Sequence, residues 1–226
     1  MDILVVAAHP DDEVLGCGGT IAKLAKEGNS VHIIILGEGI TSRYSSPAET
    51  DKKQIQELHT QAAKAGKILG AQSVKIGHLP DNRFDTVPLL EIIKMVEDHV
   101  KQIKPSMVFT QHGGDLNIDH ERTFRAVLTA TRPMEGGTVK QVYAYEVPSS
   151  TEWAFQSFSP RFHPTTFEDI SNTLESKISA MKVYEQEMRA FPHPRSEEVL
   201  RAHAIYWGSV SGFGAAEAFE LIREIR

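Results

Sequence analysis

The chain has 226 residues, a formal net charge of −6 and a single cysteine, Cys17. This length fits one α/β domain, and 41% hydrophobic with 24% charged residues is typical of a globular protein, which excludes a disordered chain. The negative charge argues against nucleic acid or an anionic membrane as the main partner, and one cysteine excludes an internal disulfide and a multi-cysteine zinc site.

The first two-thirds of the chain alternates strand and helix patterns. Continuous apolar runs, typical of strands buried on both faces of a parallel sheet, alternate with segments whose apolar residues recur at helical spacing. Strands joined by helices predict right-handed crossovers and a doubly wound α/β sheet. The predicted strands cover 3–8, 31–36, 73–79, 107–111 and 141–147, and the predicted helices cover 13–27, 50–69, 89–103 and 119–131.

The tail, from residue 149 onward, breaks this alternation. Helices are predicted near 171–189 and 196–205. No linker composition marks a boundary, so we expect one domain over 1–226, with a core over about 1–148 and a C-terminal helical cap over about 149–226. No stretch approaches the roughly 18 apolar residues of a membrane span, and a signal peptide is not recognisable. We therefore expect a cytoplasmic protein without a membrane span, and a homo-oligomer stays open.

Polar residues follow the first predicted strand directly, as Ala8-His9-Pro10-Asp11-Asp12-Glu13. In doubly wound sheets, ligands bind beyond the carboxyl ends of the strands. An aspartate also caps helices, so one interpretation is a capped helix start beside an ordinary surface histidine. The second carboxylate and a second polar motif favour a functional site.

That second motif, Gln111 to His120, follows the fourth predicted strand, so the sheet can bring it beside His9. Two histidines and one carboxylate, with a position left for water, make a common catalytic zinc site. Zinc lowers the pKa of its bound water to about 7, and a spare carboxylate can accept the proton of that water. His9, one aspartate of the pair and His120 are therefore candidate ligands, and the other aspartate is the candidate base.

The segment Ala8–Glu13, followed by Gly16-Cys17-Gly18-Gly19 and much later by Asn117-Ile118-Asp119-His120, resembles the motifs of the LmbE-like, or PIG-L, de-N-acetylase family. The resemblance covers most of the chain. It implies a Rossmann-like three-layer sandwich with a mostly parallel sheet. It also implies one Zn²⁺ per chain, or another divalent metal, held by His9, Asp12 and His120, with Asp11 as general base on zinc-bound water. The implied reaction removes an N-acetyl group from an amino sugar or amino-sugar conjugate.

One position departs from the family pattern, because many relatives have a histidine where this chain has Asn117. An asparagine can donate a hydrogen bond but cannot act as a general acid near neutral pH. We therefore expect Asn117 to steady the oxyanion and His193 or His112 to protonate the leaving nitrogen. Asp119 is expected to orient a neighbouring side chain.

Three further residues are candidate substrate contacts. Arg43 follows the second strand, and a solvated loop cation is the alternative interpretation. His112 follows the fourth strand. Arg195 belongs to Pro192-His193-Pro194-Arg195, in which two prolines fix a loop before a helix that Ser196 can cap, and the alternative there is a rigid connector.

Other functions stay open from the sequence alone. Within the hydrolases, the alternative is an amidase acting on a non-sugar N-acyl group or a thiol conjugate. From another class, the alternative is a non-catalytic Rossmann-like module that binds a nucleotide or a sugar. A nucleotide-binding module expects a glycine-rich turn before the first helix, and His9 to Asp12 occupy that place.

Overall fold

The centre of the fold is a seven-stranded sheet, seen in a computed structural model that describes residues 1–40 and 52–226. In chain order the strands are β1 Asp2–Ala7, β2 Ser30–Gly37, β3 Ser73–Leu79, β4 Met107–Gln111, β5 Gln141–Tyr145, β6 Thr166–Asp169 and β7 Ala216–Glu224. Their spatial order is β3-β2-β1-β4-β5-β7-β6. The first five strands are parallel, and β7 and β6 pair antiparallel to their neighbours.

Helices cover both faces of this sheet, which makes three layers. In the described part of the chain they are α1 Asp12–Lys26, α2 Lys52–Leu69, α3 Leu89–Ile103, α4 Ile118–Ala130, α5 Leu174–Met181 and α6 Glu197–Ser211. Alternate side chains of β1 point to opposite faces, as the pleat of a strand requires. Ile3 and Val5 pack with α1, α2 and α5, whereas Leu4 and Val6 pack with α3 and α4. The predicted α/β three-layer class with a mostly parallel sheet is confirmed.

The tail differs from the predicted helical cap. It contributes β6 and β7 to the sheet besides its helices, and the helix predicted near 171–189 is confined to Leu174–Met181. The strand β7 escaped prediction because its sequence is not a continuous apolar run. A buried carboxylate, Glu217, interrupts it and forms an ion pair with Lys177 at 2.6 Å.

A break in α1 supplies further hydrogen-bond partners for the buried Glu217. Cys17 departs from helical geometry with φ −142°, so the amides of Gly19 and Thr20 begin a new helical segment. Those amides donate to the Glu217 carboxylate at 2.9 and 2.7 Å, which satisfies donors that a helix start leaves open. A Cβ at Gly16 would collide with the ring of Tyr145, and one at Gly19 would collide with Ile170, so these glycines allow close packing.

Among the described residues, no helix combines the length and the apolar character needed to cross a bilayer. The order of the strands reverses between β1 and β4: β2 and β3 follow β1 on one side of the sheet, and β5 follows β4 on the other side. Ligands bind at such a point in open α/β sheets, beyond the carboxyl ends of the strands.

Candidate active site

The loops that follow all five parallel strands meet around one cavity of about 210 Å³. Residues of the segment between α5 and α6 close its far side. The described lining is polar and consists of His9, Pro10, Asp11, Gly39, Asp81, Asn82, Asn117, His120, Ser149, Ser150, Glu187 and Arg195. The topology therefore brings the two sequence motifs together, as the parallel sheet predicts.

His9, Asp12 and His120 place one ligand atom each within reach of a common centre. The Asp12 Oδ2 atom lies 3.3 Å from His9 Nδ1 and 3.3 Å from His120 Nε2. All three residues are buried. The Asp12 carboxylate is held in turn by the side-chain amide of Gln111, which donates to Oδ2 at 2.9 Å. Two imidazoles and one carboxylate form the donor set that zinc uses in catalytic sites.

The remaining ring nitrogen of each histidine faces a buried carboxylate. His9 Nε2 lies 2.9 Å from Asp119 Oδ2, and His120 Nδ1 lies 3.1 Å from Asp115 Oδ2. Metal-binding histidines commonly donate their second N–H to a carboxylate, which fixes the tautomer and the ring orientation. The side chain that Asp119 contacts is His9, so a role for Asp119 in orienting a neighbour would apply to this ring. A second acidic group, formed by His9, Asp81 and Asp119, is also close enough to share a cation.

The charges of the site favour a cation between these donors. Burial alone would lower the pKa of His120, but the carboxylates of Asp12 and Asp115 raise this pKa to about 9. Burial would raise the pKa of Asp12, whereas His120 and His9 hold it well below its usual range. In the absence of a metal, protons on the histidines neutralise the carboxylates, and a divalent cation can take their place. The residues present therefore fit a divalent metal.

Asp11 lies beside this donor set but does not belong to it. Its φ is 106°, a left-handed conformation that is costly for a residue with a Cβ. The backbone N–H of Asp11 donates to Glu13 Oε2 at 3.1 Å, and Glu13 Oε1 accepts from the Tyr184 hydroxyl at 2.6 Å. This buried support turns the Asp11 side chain toward the cavity instead of along the helix.

The Asp11 carboxylate accepts a hydrogen bond from Arg195 Nη1 at 2.6 Å. Burial raises the pKa of Asp11 well above its usual range, and the Arg195 charge opposes that rise. Arg195 also donates from Nε to Ser149 Oγ at 2.7 Å and lies 3.3 Å from Glu187. The predicted substrate contact Arg195 is thus in the cavity, where it is paired with the candidate base.

Asn117 lines the cavity and caps α4 at the same time. Its Oδ1 accepts from the Asp119 backbone N–H at 2.8 Å, and its Nδ2 donates to Asn82 Oδ1 at 3.1 Å. A primary amide carries two N–H groups, so one donor is left for a ligand. This position is compatible with the predicted contact to an oxyanion.

The structure does not bring the other two predicted histidines into the cavity lining. His112 is buried behind β4, and its ring nitrogens lie 2.7 Å from Glu220 Oε2 and 2.9 Å from the carbonyl of Pro160. Both nitrogens are engaged in tying the tail to the sheet. His193 lies next to the cavity, where its Nδ1 accepts from the Arg195 backbone N–H at 3.1 Å. Partial burial and two neighbouring arginines lower its pKa. Arg43 lies outside the described residues.

Several residues of the cavity were not singled out from the sequence. Asp81 and Asn82 follow β3, so the rule that selected His9 would have selected them too. Asp115 stands in the second motif and accepts from Ser150 Oγ and, at 2.8 Å, from Thr151 Oγ1. Glu187 gives no local signal, because its place in the site depends on how the tail folds back.

Comparisons with known proteins identify the family of this chain. Residues 4–131 match the PIG-L family, described as GlcNAc-PI de-N-acetylase. The uncharacterized deacetylase YaiS of Escherichia coli K12 is 31% identical over 186 residues, which cover 80% of this chain and 88% of that protein. The diacetylchitobiose deacetylase of Thermococcus kodakarensis is 25% identical over 97% of this chain and 82% of its own length.

One relative is named as a hydratase and not as a deacetylase. The 4-oxalmesaconate hydratase of Pseudomonas putida is 27% identical over 79% of this chain and 71% of its own length. Among solved structures, the conserved protein TT1542 from Thermus thermophilus superposes with a TM-score of 0.78 and 26% identity, covering 100% of this chain and 96% of that one. Fold, motif residues and relatives lead to one conclusion: the chain belongs to the PIG-L, or LmbE-like, family, whose named relatives are mostly deacetylases.

Proposed function

We propose that this chain is a zinc-dependent hydrolase that removes the N-acetyl group of an amino sugar or amino-sugar conjugate and releases acetate and a free amine. The observation that carries the proposal is the placement of Asp11. Its carboxylate lies in the cavity, next to the His9, Asp12 and His120 donor set, and is held by Arg195 at 2.6 Å. Metal ligands and a separate carboxylate are the parts that metal-dependent hydrolysis of an amide uses.

His9, Asp12 and His120 would hold the metal, with Asp119 and Asp115 orienting the two imidazoles. A zinc ion bound there supplies a Lewis acid that polarises a carbonyl and makes water more acidic. The chain's own residues then decide where water and the amide lie.

Asp11 accepts the proton of the attacking water in this proposal. Its pKa is raised by burial, which brings a carboxylate closer to the neutral range in which a general base works best. Arg195 fixes the orientation of the carboxylate, and its positive charge opposes the rise of the Asp11 pKa. The strained backbone of Asp11, supported by Glu13, fixes the position of its Cβ.

Asn117 is proposed to donate its second amide N–H to the oxygen that becomes negative when the carbonyl is attacked. With His112 engaged elsewhere and His193 beside the cavity, Asp11 is the residue best placed to return the proton to the leaving nitrogen. One carboxylate then serves in both steps: it takes a proton from water and delivers it to the amine. Arg43 stays a proposed substrate contact.

The sugar is proposed from two observations. The cavity is polar and contains carboxylates, amides and hydroxyls that can bind sugar hydroxyl groups. The diacetylchitobiose deacetylase relative acts, by its name, on an acetylated amino sugar. We further propose that the protein works in the cytoplasm.

The test is a panel of N-acetylated sugars incubated with metal-loaded protein, with acetate and free amine measured separately. We expect equal amounts of both products from at least one sugar. Asp11→Asn should retain the metal and lower kcat by roughly 10²- to 10⁴-fold, since this is what a general base contributes. Hydration of 4-oxalmesaconate, with no acetate from any sugar, would favour the chemistry of the hydratase relative.

A further inference from the structure

One exposed aromatic side chain follows, in sequence, the segment after β5 that lines the cavity, and it takes no part in the proposed chemistry. Trp153 is 41% exposed and belongs to a short 3₁₀ turn, Glu152–Ala154. Only Thr151 separates this turn from Ser149 and Ser150, which line the cavity. On its other side, the indole meets the ring of His193 edge to face, with 5.4 Å between the ring centroids.

The turn that carries Trp153 is held by buried polar contacts. Thr151 Oγ1 donates to Asp115 Oδ2 at 2.8 Å and accepts from the Val147 backbone N–H at 2.8 Å. Glu152 accepts from the Ser149 backbone N–H at 2.6 Å. Because Asp115 also faces His120, the turn is connected directly to the candidate metal ligands. A ligand that stacks on this indole would thus meet a surface that is already ordered, which lowers the cost of binding.

The volume of the cavity limits how much of a substrate it can hold. Its volume of about 210 Å³ is below the ~300–1,000 Å³ typical of sites for drug-sized ligands, so it suits one acetylated ring. Any second ring attached to that sugar must extend past the mouth. Aromatic side chains present a large flat apolar surface at low conformational cost, which suits the apolar face of a pyranose.

Resting on the function proposed above, we infer that Trp153 binds a second sugar ring, linked to the ring whose acetamide enters the cavity. The substrate is then an oligosaccharide or a glycoconjugate with a sugar next to the acetylated residue. Trp153 acts on binding and specificity, not on the chemical step.

Steady-state kinetics with two substrates test this inference. Trp153→Ala should raise KM for N,N′-diacetylchitobiose by roughly 2- to 10-fold and leave KM and kcat for N-acetylglucosamine unchanged. Trp153→Tyr should restore most of the lost affinity. Phe213→Ala is the matched control, because Phe213 is 42% exposed and lies past the end of α6, in a part of the chain that contributes no residue to the cavity lining. Equal effects of Trp153→Ala on both sugars, or no effect on either, would overturn the inference.

A binding measurement separates this inference from the proposed function. The chain has two tryptophans, so Trp207→Phe leaves Trp153 as the sole indole fluorophore. We expect deacetylated chitobiose, which is not hydrolysed further, to change this fluorescence at concentrations where glucosamine does not. If Trp207→Phe fails to fold, 5-fluorotryptophan in the wild-type chain gives the same readout by ¹⁹F NMR, with Trp153→Phe assigning the resonance.

Each result of the titration has a distinct meaning. A response to the disaccharide supports the inference even if no sugar in the panel is deacetylated, in which case the proposed function alone fails. An unchanged signal at saturating disaccharide overturns the inference. A signal that depends on protein concentration without sugar would also overturn it, because Trp153 would then contact a second copy of the chain.

Discussion

Replacement of Arg195 by alanine tests the proposed base through its ion pair. Arg195 Nη1 lies 2.6 Å from Asp11 Oδ2, and the side chains are 21% and 3% exposed. Removing one partner of a buried ion pair costs about 3–5 kcal/mol, because the other charge stays buried. Water reaches part of Arg195, so we expect a loss of about 2–3 kcal/mol in the free energy of unfolding at pH 8.

The pH dependence of this loss has a defined sign. The pKa of Asp11 is raised in the folded protein, so its protonated form favours folding and that contribution is lost as pH rises through the folded pKa. Arg195 lowers this pKa, and Arg195→Ala raises it further. The variant should therefore lose more stability, relative to wild type, at pH 8 than at pH 5. Urea unfolding of the metal-loaded proteins at both pH values measures the difference.

Arg195→Ala should also change how kcat/KM depends on pH. Asp11 must be ionised to accept a proton, so a higher pKa shifts the acid limb of kcat/KM to higher pH. Arg195→Lys keeps the positive charge, so the acid limb of its kcat/KM profile should lie close to that of wild type. Arg201→Ala, which breaks an exposed pair with Glu175, is the matched control and should leave the limb in place. An unchanged acid limb in Arg195→Ala, with the metal retained, would refute the assignment of Asp11 as the base.

Three further predictions follow from the same contacts. His120→Ala should retain less than one metal per chain after dialysis, as measured by elemental analysis. Wild-type protein should release protons when it binds the metal at pH 7, because the pKa of His120 is about 9 without metal. Calorimetry in buffers of different ionisation enthalpy measures this release. Tight stoichiometric binding by the variant would exclude His120 as a ligand. Burial raises the pKa of Glu13 to about 7, so wild-type protein should lose stability as pH rises from about 4.5 to about 7. Glu13→Gln should reduce this loss, because an amide mimics the protonated carboxyl group. An unchanged pH dependence of the free energy of unfolding, measured in urea, would contradict this. His193→Ala should leave the alkaline limb of kcat unchanged because Asp11 is proposed to return the proton, and loss of that limb would identify His193 as the donor.

Much of the parallel half of the fold follows from local pattern. Strands β3 and β4 begin and end at the predicted residues, and the helices α1 and α4 differ from prediction by one residue at each end. These segments are long, strongly periodic or bounded by turn residues, so tertiary contacts do not need to override them. The rule that ligands bind at strand ends then places His9 beside His120 without coordinates.

The tail could not be predicted in the same way. The strand β7 carries Glu217, and burial of this carboxylate depends on Lys177 and on the broken helix α1, which are distant in sequence. The partners of Asp11 raise the same difficulty. Arg195 was selected as a substrate contact, but its pairing with Asp11 depends on how a loop 184 residues away folds back. Long-range charge pairs leave no periodic signal in a sequence.

Titration of metal-free protein with zinc, while acetate release from an N-acetylated sugar is followed, tests whether this chain is a zinc-dependent deacetylase. Activity should rise in proportion to added zinc and stop rising at about one equivalent per chain, since His9, Asp12 and His120 form one three-ligand site. Asp11→Asn should bind the same equivalent and release acetate at least roughly 10²-fold more slowly. Full acetate release by metal-free protein, or an Asp11→Asn variant as active as wild type, would contradict the account.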